Sequence, residues 1–174
     1  LLKQWAVYDE SEYVRGEALQ QIVNVWRHEP GVLELLKQRV VYDESELVQR
    51  EAVRQIATGW KHEPGVLELL KQRVVSDENQ HLRREAVRQI VSGWKHEPGV
   101  LELLKQWAVY DESEYVRGEA LQQIVNVWRH EPGVLELLKQ RVVYDESELV
   151  QREAVRQIAT GWKHEPGVLE LLKQ

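Results

Sequence analysis

A tetrapeptide of sequence Leu-Leu-Lys-Gln recurs along this chain at a constant interval. It occupies residues 1–4, 35–38, 69–72, 103–106, 137–140 and 171–174 of the 174 residues. The interval is 34 residues. Repeats of about this length are typical of helical hairpins, which cannot bury their apolar faces alone and are stabilised by stacking on their neighbours. The period therefore predicts one domain, residues 1–174, made of repeated helical hairpins. The units are residues 1–34, 35–68, 69–102, 103–136 and 137–170, and a sixth begins at 171–174.

A longer repeat is superimposed on this period, because residues 1–72 are identical to residues 103–174. Units of a natural array diverge as each one adapts to its own neighbours. The identity therefore indicates a recent duplication or deliberate construction. One hypothesis for this chain is accordingly an engineered or recently amplified repeat protein that has no specific ligand.

The first helix of a unit is predicted from about Pro30 to about Tyr42. Proline suits the first position of a helix, where its missing N–H is not needed and its φ is already helical. Val32, Leu36 and Val40 follow at helical spacing and form one apolar stripe. This stripe predicts the face of the first helix that packs in the core.

The second helix is predicted from about Glu12 to about Arg27, with Ser11 as its N-cap. The position of Ser11 holds Ser or Asn in every unit, and both residue types cap helix N-termini well. Apolar residues such as Ile22 and Trp26 share one face of this helix. We expect the tryptophan at this position to lie in the core of every unit. These tryptophans are Trp26, Trp60, Trp94, Trp128 and Trp162.

The pattern Asp9-x4-Val14-Arg15-x2-Ala18-x3-Ile22 resembles that of HEAT-like repeats, which are α-solenoids of the armadillo type. The resemblance implies an all-α fold, a right-handed α-α superhelix of about five hairpins, each as long as the unit 1–34. It also implies that the second helices line the concave surface of the solenoid.

Tetratricopeptide repeats have a period of about 34 residues, which this chain shares. Ala18-x3-Ile22 together with Pro30 partly fits the second helix of that family. Its first helix carries a Gly and a Tyr at places where this chain has Ala6 and Asp9. The HEAT-like reading is therefore favoured over the tetratricopeptide reading.

In HEAT-like repeats an Asp and an Arg form a ladder of hydrogen bonds between adjacent repeats. The resemblance implies the pairs Asp9 with Arg15, Asp77 with Arg83 and Asp111 with Arg117. It implies missing rungs at Gln49 and Gln151, where the arginine is replaced.

The segments Tyr-Asp-Glu-Ser-Glu and Gly-Trp-Lys-His-Glu-Pro are similar to parts of repeat arrays that follow the nucleotide-binding module of bacterial NACHT-type signalling NTPases. This similarity implies a segment of a signalling protein. The Gly-x4-Gly-Lys-Ser/Thr loop that binds nucleotide phosphates does not occur in the 174 residues, so an NTPase module would lie outside them.

The sequence carries no pattern that predicts catalysis. It contains no cysteine, which excludes a thiol nucleophile and a thiolate zinc site. Histidines and carboxylates recur once per unit as rows, not as converging metal ligands or as a differently tuned catalytic pair. We therefore predict a protein that is not an enzyme and has no catalytic, cofactor-binding or metal-binding residues. A lyase of the HEAT-like class that acts on bilin pigments is the enzyme alternative.

Apolar runs in this sequence are shorter than the roughly 18 residues that a membrane-spanning helix requires. We therefore expect no membrane partner. The absence of cysteine and of a signal peptide predicts a cytoplasmic location.

Candidate binding residues are the positions at which the second helices of different units disagree. Their spacing of three or four residues places them on one stripe opposite the apolar face. Two tryptophans of the first helix are added, because other units hold an exposed-type residue, Arg, at their position. The candidates are Tyr13, Leu47, Arg50, Arg54, His81, Arg84, Arg88, Tyr115, Leu149, Arg152, Arg156, Trp5 and Trp107.

The arginines of the stripe predict the chemistry of its partner. They form a positive track on a protein whose net charge is −6, and arginine binds carboxylates through two parallel hydrogen bonds. We therefore predict a binding or scaffolding role with a protein or an acidic peptide segment as partner. A pI near 5.6 disfavours nucleic acid. The alternative is that exposed positions simply drift.

Neither end of the sequence carries a polar capping unit, which isolated solenoids usually need for solubility. We expect either end-to-end self-association or a continuation of the array in a longer parent chain.

Overall fold

A computed structural model describes residues 1–173, which form eleven α-helices and no β-strand. The helices are α1 (Leu2–Tyr8), α2 (Glu12–Trp26), α3 (Val32–Tyr42), α4 (Glu46–Gly59), α5 (Val66–Ser76), α6 (Gln80–Trp94), α7 (Val100–Tyr110), α8 (Glu114–Trp128), α9 (Val134–Tyr144), α10 (Glu148–Gly161) and α11 (Val168–Leu172). Consecutive pairs from α1 to α10 are called hairpins 1 to 5. The all-α fold of repeated helix pairs is confirmed, and the boundaries of the second helices lie within about two residues of those predicted.

The helices fall into two compact units, Leu1–Gly93 and Trp94–Gln174. In the first unit α1 packs on α2, α3 packs on α4, and the second helices α2 and α4 pack on each other. In the second unit the same holds for α7 with α8, for α9 with α10, and for α8 with α10. Neighbouring hairpins in each unit therefore meet through their second helices. The expectation that all five hairpins form one array stays a prediction.

Small and branched apolar side chains fill the core of these hairpins. In α2 the buried positions include Ala18, Leu19 and Ile22, which recur at helical spacing. The prediction of a core tryptophan holds for Trp94 and Trp162, which are buried, while Trp60 and Trp128 are half-buried. It is wrong for Trp26, whose side chain is exposed beside an open cavity that Leu1 and Leu2 also line.

The connection between hairpins differs from its prediction, because Pro30 is not the first helical residue. Glu29, Pro30, Gly31 and Val32 form a β-turn, in which the N–H of Val32 donates to the carbonyl of Glu29 at 3.3 Å. Gly31 has φ 85° and ψ −1°, which are the values of the third residue in a type II turn. Proline presets the second residue of such a turn, and glycine tolerates the third. The helix therefore begins at Val32.

The same left-handed glycine recurs in every unit, as Gly31, Gly65, Gly99, Gly133 and Gly167.

Ser11 is the N-cap of α2, as predicted, and its hydroxyl accepts a hydrogen bond from the N–H of Val14. The corresponding Ser45 caps α4 in position but uses its hydroxyl differently, donating to the carboxylate of Glu12 in the preceding hairpin. Asn79 likewise donates to Glu46 across 3.2 Å. The cap residues therefore link consecutive hairpins as well as starting helices.

A ladder of arginine and aspartate does connect adjacent hairpins, but its pairs differ from those carried over from the resemblance. Arg15 binds Asp43 of the next hairpin through two hydrogen bonds, of 3.0 and 3.2 Å, and both side chains are almost fully buried. Its remaining Nη1 donates to the carbonyl of Asp9 at 2.7 Å. The side chain of Asp9 instead accepts the N–H of Ser11. The pairing of Arg15 with Asp9 is therefore wrong at the side chain.

Hairpin 4 repeats this arrangement, since Arg117 binds Asp145 at 2.9 and 3.1 Å and also donates to the carbonyl of Asp111. The pairing of Arg117 with the side chain of Asp111 is corrected in the same way. In hairpin 3, Arg83 donates to the carbonyl of Val74. The long forked guanidinium explains the result, because it can reach its own turn and the next hairpin together.

The rung is missing at Gln49, as expected from the resemblance. Gln49 keeps the contact with its own turn by donating to the carbonyl of Asp43 at 2.8 Å. Asp77, the residue that follows α5 in the next hairpin, is paired with Arg73 of α5, 3.7 Å away. The amide side chain therefore preserves the local contact and loses the link between hairpins.

Among the described residues, no helix combines the length and the apolar character needed to cross a membrane.

Replacing Arg15 by Gln is expected to lower the free energy of unfolding by roughly 1.5–3 kcal/mol, because hydrogen bonds to a charged group contribute about this much to stability. The glutamine can keep the local carbonyl contact, as Gln49 does, but leaves Asp43 with Arg39 as its ion partner. The reverse change, Gln49→Arg, is expected to raise the free energy of unfolding, because Asp77 gains the partner that Asp43 has. Urea unfolding followed by circular dichroism measures both changes.

The control for this pair is Gln49→Ala, which removes one neutral hydrogen bond. Losses of equal size for Arg15→Gln and Gln49→Ala would contradict a structural role for the buried ion pair.

Two glycines of the second unit are expected to respond oppositely to alanine. Gly133→Ala should lower the free energy of unfolding by about 1–2 kcal/mol, because its φ of 85° is left-handed. Gly118→Ala should raise it by up to about 1 kcal/mol, because Gly118 lies inside α8, and alanine is the better helix former. Its added Cβ would meet only Leu149 Cδ2, at 3.5 Å. Thermal unfolding of both variants checks the prediction, and a shift in the same direction would refute it.

Candidate functional site

The predicted stripe lies on the second helices, and its first position in each helix is exposed. Tyr13, Leu47 and His81 are the second residues of α2, α4 and α6, and all three are exposed to solvent. We call these three residues the first-turn row. Tyr115 of α8 and Leu149 of α10 hold the same position in the second unit and are also exposed.

Leu47 packs over Gly16 of the preceding hairpin. A Cβ atom added to Gly16 would lie 3.3 Å from Leu47 Cδ2, and Gly16 itself is buried. Leu149 stands in the same relation to Gly118, at 3.5 Å. Glycine therefore stands in the stripe where the next hairpin presents leucine. The sequence shows this contact as a paired change, because the position of Gly16 and the position of Leu47 both hold other residues in other units. The sequence analysis did not connect the two changes.

The arginines of hairpin 2 do not form the free positive track that the sequence predicts. Arg54 binds Glu85 of α6 through two hydrogen bonds, from Nε at 2.9 Å and from Nη2 at 3.1 Å. Arg50 Nη2 lies 3.6 Å from the same carboxylate, and Arg88 Nη1 lies 3.9 Å from it. The side chain of Glu85 is almost fully buried. Its negative charge therefore offsets part of the positive charge of these three arginines.

The ionisation of this group follows from its surroundings. Burial acts to raise the pKa of Glu85, but hydrogen bonds from Arg54 and Gln89 and the nearby positive charges outweigh it, so the pKa lies below its ordinary value. The pKa of Arg54 is raised, chiefly by its hydrogen bond to Glu85. Both groups are therefore charged at neutral pH, and the ion pair is intact.

The remaining arginines of the stripe have different surroundings. Arg84 is half-buried and engaged with neighbouring groups. Arg156 is exposed and lies 2.6 Å from Glu153 on its own helix. Arg152 is exposed and makes no ion pair within the described residues. The arginines of hairpin 5 are exposed and make no ion pair with another helix within the described residues, whereas Arg54, whose side chain is 44% exposed, is bound to Glu85 of α6.

The two tryptophan candidates lie in different environments. Trp5 is exposed and remains available as a contact residue. Trp107 is buried on the face of α7 that also carries Val100, Leu104 and Ala108, so its assignment as a surface contact is wrong. The inference failed because Arg73 and Arg141, at the same position, are themselves largely buried along their side chains.

The structure adds a second row of exposed aromatic side chains, which the sequence analysis did not single out. Each lies at the last residue of a first helix, directly before the aspartate of the turn. The signal in the sequence is the serine at the same place in hairpin 3, Ser76, since a core position would not take it. These residues are Tyr8, Tyr42, Tyr110 and Tyr144.

A cavity of about 450 Å³ between the ends of α2 and α4 is lined by residues such as Asn24, His28, Gln55 and Thr58, and none of its lining groups is a carboxylate. Within residues 1–173, histidines and carboxylates form no cluster of three or more that could hold a metal ion.

A protein-family model described as HEAT repeats matches residues 1–88 and, in a second alignment, residues 33–125. The two matches together extend over well more than half of the chain. They confirm the resemblance to HEAT-like repeats. No curated protein matches the chain.

Glu85→Gln is expected to lower the free energy of unfolding by roughly 1.5–3 kcal/mol at neutral pH, because Arg54 loses a charged acceptor. The pKa of Glu85 is lower in the folded protein than its ordinary value of 4.5, so this stabilisation is present above that value and is lost as the pH falls through the folded pKa. Urea unfolding between pH 3 and pH 7 should therefore show the two proteins converging in acid.

Glu17→Gln is the matched control, since Glu17 is the exposed equivalent of Glu85 in hairpin 1 and is expected to change stability by less than about 0.5 kcal/mol. Equal losses for both variants, or a difference that persists at low pH, would contradict the prediction.

Proposed function

Since the chain belongs to the HEAT-repeat family, whose repeats commonly mediate protein–protein scaffolding, we propose that it is a non-catalytic module that binds protein partners. The HEAT-repeat fold is typically non-catalytic, which supports this choice over a bilin lyase. Proteins of this architecture hold a partner on an extended surface formed by successive repeats.

The first-turn row is the observation that carries the proposed site. Tyr13, Leu47 and His81 present an aromatic ring, a branched aliphatic group and an imidazole at the same place on consecutive second helices. Exposed apolar and aromatic side chains in a row are typical of protein contact surfaces. Neighbouring hairpins accordingly offer one side chain each to a partner that runs across them.

The spacing of this row defines the class of partner. Packed helices lie about 8–10 Å apart, which equals the rise of about three residues of a polyproline II chain, whose side chains return to the same side every third residue. We therefore propose an extended peptide segment with an apolar side chain at every third residue. In the second unit, where Tyr115 and Leu149 hold the same position as the row, acidic residues of a partner would pair with Arg152 and Arg156, the exposed arginines of hairpin 5. A net charge of −6 disfavours nucleic acid as the partner.

The proposed setting is a signalling protein in the cytoplasm. The similarity of the repeat sequences to arrays that follow NACHT-type NTPase modules supports a sensor or adaptor role. The absence of cysteine is consistent with a reducing compartment.

A second candidate is a recently amplified or engineered array that has no specific ligand. The observation in its favour is the identity of residues 1–72 with residues 103–174. Under this hypothesis the differences between units on the stripe are drift at exposed positions.

The experiment selects peptides from a displayed random library on the intact chain and then measures their binding to two variants. Tyr13→Ala/Leu47→Ala/His81→Ala is expected to weaken binding by about tenfold or more, because contact aromatic and aliphatic groups are removed. Tyr8→Ala/Tyr42→Ala is the control, with the exposed aromatic groups removed from the first helices. Fluorescence polarisation gives the dissociation constants.

Two other outcomes would favour a different binding site or the second candidate function. Loss of binding in the Tyr8/Tyr42 variant alone would place the site at the ends of the first helices. A selection that enriches no peptide sequence would favour the second candidate.

A further inference from the structure

We propose that the chain binds an arginine-containing segment of another protein at paired tyrosines on the ends of its first helices. One pair is Tyr8 with Tyr42 in the first unit, and the other is Tyr110 with Tyr144 in the second unit. These are called the bridged tyrosine pairs. The proposal is independent of the first-turn row, whose proposed partner is recognised through apolar and acidic side chains.

The tyrosine side chains extend into solvent at the last residue of each first helix. Tyr42 is 76% exposed, although hairpin 2 is linked to hairpin 1 through Asp43 and to hairpin 3 through Arg54. Its exposure is therefore a property of the inside of the array. The other three tyrosines are 75–82% exposed. Rings as exposed as these can present a face to a ligand without any change in the fold.

A buried arginine holds the two turns of the first pair together. Arg15 donates to the carbonyl of Asp9 at 2.7 Å and to the carboxylate of Asp43 at 3.0 and 3.2 Å. Asp9 directly follows Tyr8 in the sequence, and Asp43 directly follows Tyr42. One guanidinium therefore binds both turns, which keeps the two tyrosines on adjoining parts of neighbouring hairpins.

The second unit repeats this bridge. Arg117 donates to the carbonyl of Asp111 at 2.7 Å and to the carboxylate of Asp145 at 2.9 and 3.1 Å. The sequence changes both features together after hairpin 2, where Gln49 replaces the arginine and Ser76 replaces the next tyrosine. The bridge and the pair of rings therefore occur together, once in each unit.

The charges around each pair favour a cation. The side chain of Glu44, two residues after Tyr42, is 87% exposed, and that of Glu146 in the second unit is 86% exposed. The positive charges of the turn lie deeper, since the side chains of Arg15 and Arg39 are 5% and 13% exposed. Glu44 approaches Arg15 only through one oxygen, at 3.7 Å. The last carbonyl groups of α3 add partial negative charge at the same end.

Arginine is the cation that fits these groups best. Its planar guanidinium stacks on the face of an aromatic ring and also binds a carboxylate through parallel hydrogen bonds. Lysine carries the same charge but is more strongly hydrated and has no planar face. Each bridged pair offers two rings on neighbouring hairpins, so one segment with two arginines can occupy both. The site should therefore distinguish arginine from lysine at equal charge.

Fluorescence polarisation with labelled hexa-arginine and hexa-lysine peptides tests the proposal on the intact chain. Hexa-arginine is expected to bind about fivefold more tightly, because only its side chains stack on the rings. Tyr8→Ser/Tyr42→Ser/Tyr110→Ser/Tyr144→Ser introduces the residue that hairpin 3 has at this place and should weaken hexa-arginine binding by about fivefold. The same four positions changed to phenylalanine should retain the binding, because the aromatic face is kept.

Two further variants complete the test. Tyr13→Ser/Tyr115→Ser removes the exposed tyrosines of the second helices and should leave hexa-arginine binding unchanged. Glu44→Gln/Glu146→Gln should weaken the binding of both peptides, because it removes exposed negative charge beside the rings. All of these sites are exposed, so circular dichroism is expected to show unchanged helix content.

Several results would overturn the proposal. Equal affinity for the two peptides would mean that the surface attracts positive charge without recognising arginine. Binding that survives the four serine changes, or that is lost with Tyr13→Ser/Tyr115→Ser, would place the contact on another surface. Loss of binding with the four phenylalanine changes would exclude stacking on the rings. A chain that binds neither peptide would exclude the site altogether.

Discussion

The stacking of one hairpin on the next is the constraint on which the rest of this structure depends. A pair of short helices cannot enclose its own apolar face, so second helices such as α2 and α4 are buried against each other. The type II turn at Glu29–Pro30–Gly31–Val32 serves this packing, because it fixes the direction in which the chain enters the next hairpin. Because the turn residues are identical in every unit, the backbone enters each following hairpin with the same conformation.

Polar side chains set the register of this stacking. The apolar surfaces of the second helices are similar from unit to unit and would tolerate some sliding. The pairs of Arg15 with Asp43 and of Arg54 with Glu85 are formed in one register, because each binds a nearly buried carboxylate through two hydrogen bonds. A shift by one turn would leave these carboxylates buried without partners, which is costly.

The same sequence plays different roles at different places in the chain. Arg54 and Arg156 occupy the same position in identical units, yet the first clamps two helices together and the second extends into solvent. Trp5 and Trp107 differ in the same way, one exposed and one buried. A repeat therefore has no fixed surface of its own, because its neighbours determine which of its side chains can meet a partner.

The sequence by itself determined the helices, their order and their family. The constant period of the repeat, the capping Ser11 and the apolar stripes are local or periodic features, and they carry over directly to the helices of residues 1–173 at nearly the predicted boundaries. Pro30 was misplaced, since the sequence does not distinguish a helix start from a type II turn without the φ of the following glycine. Trp26 was misplaced as well, because its position on the apolar stripe did not bury it.

Tertiary structure decided which charged and aromatic residues are free to act. The stripe of arginines was correctly placed on the second helices, but its positive charge was overestimated, because Glu85 belongs to a different hairpin and approaches Arg54 only when the two are stacked. The partner of Arg15 and the burial of Trp107 were missed for the same reason. Helical spacing tells which side chains share a face, whereas contacts between hairpins depend on packing that a single unit does not contain.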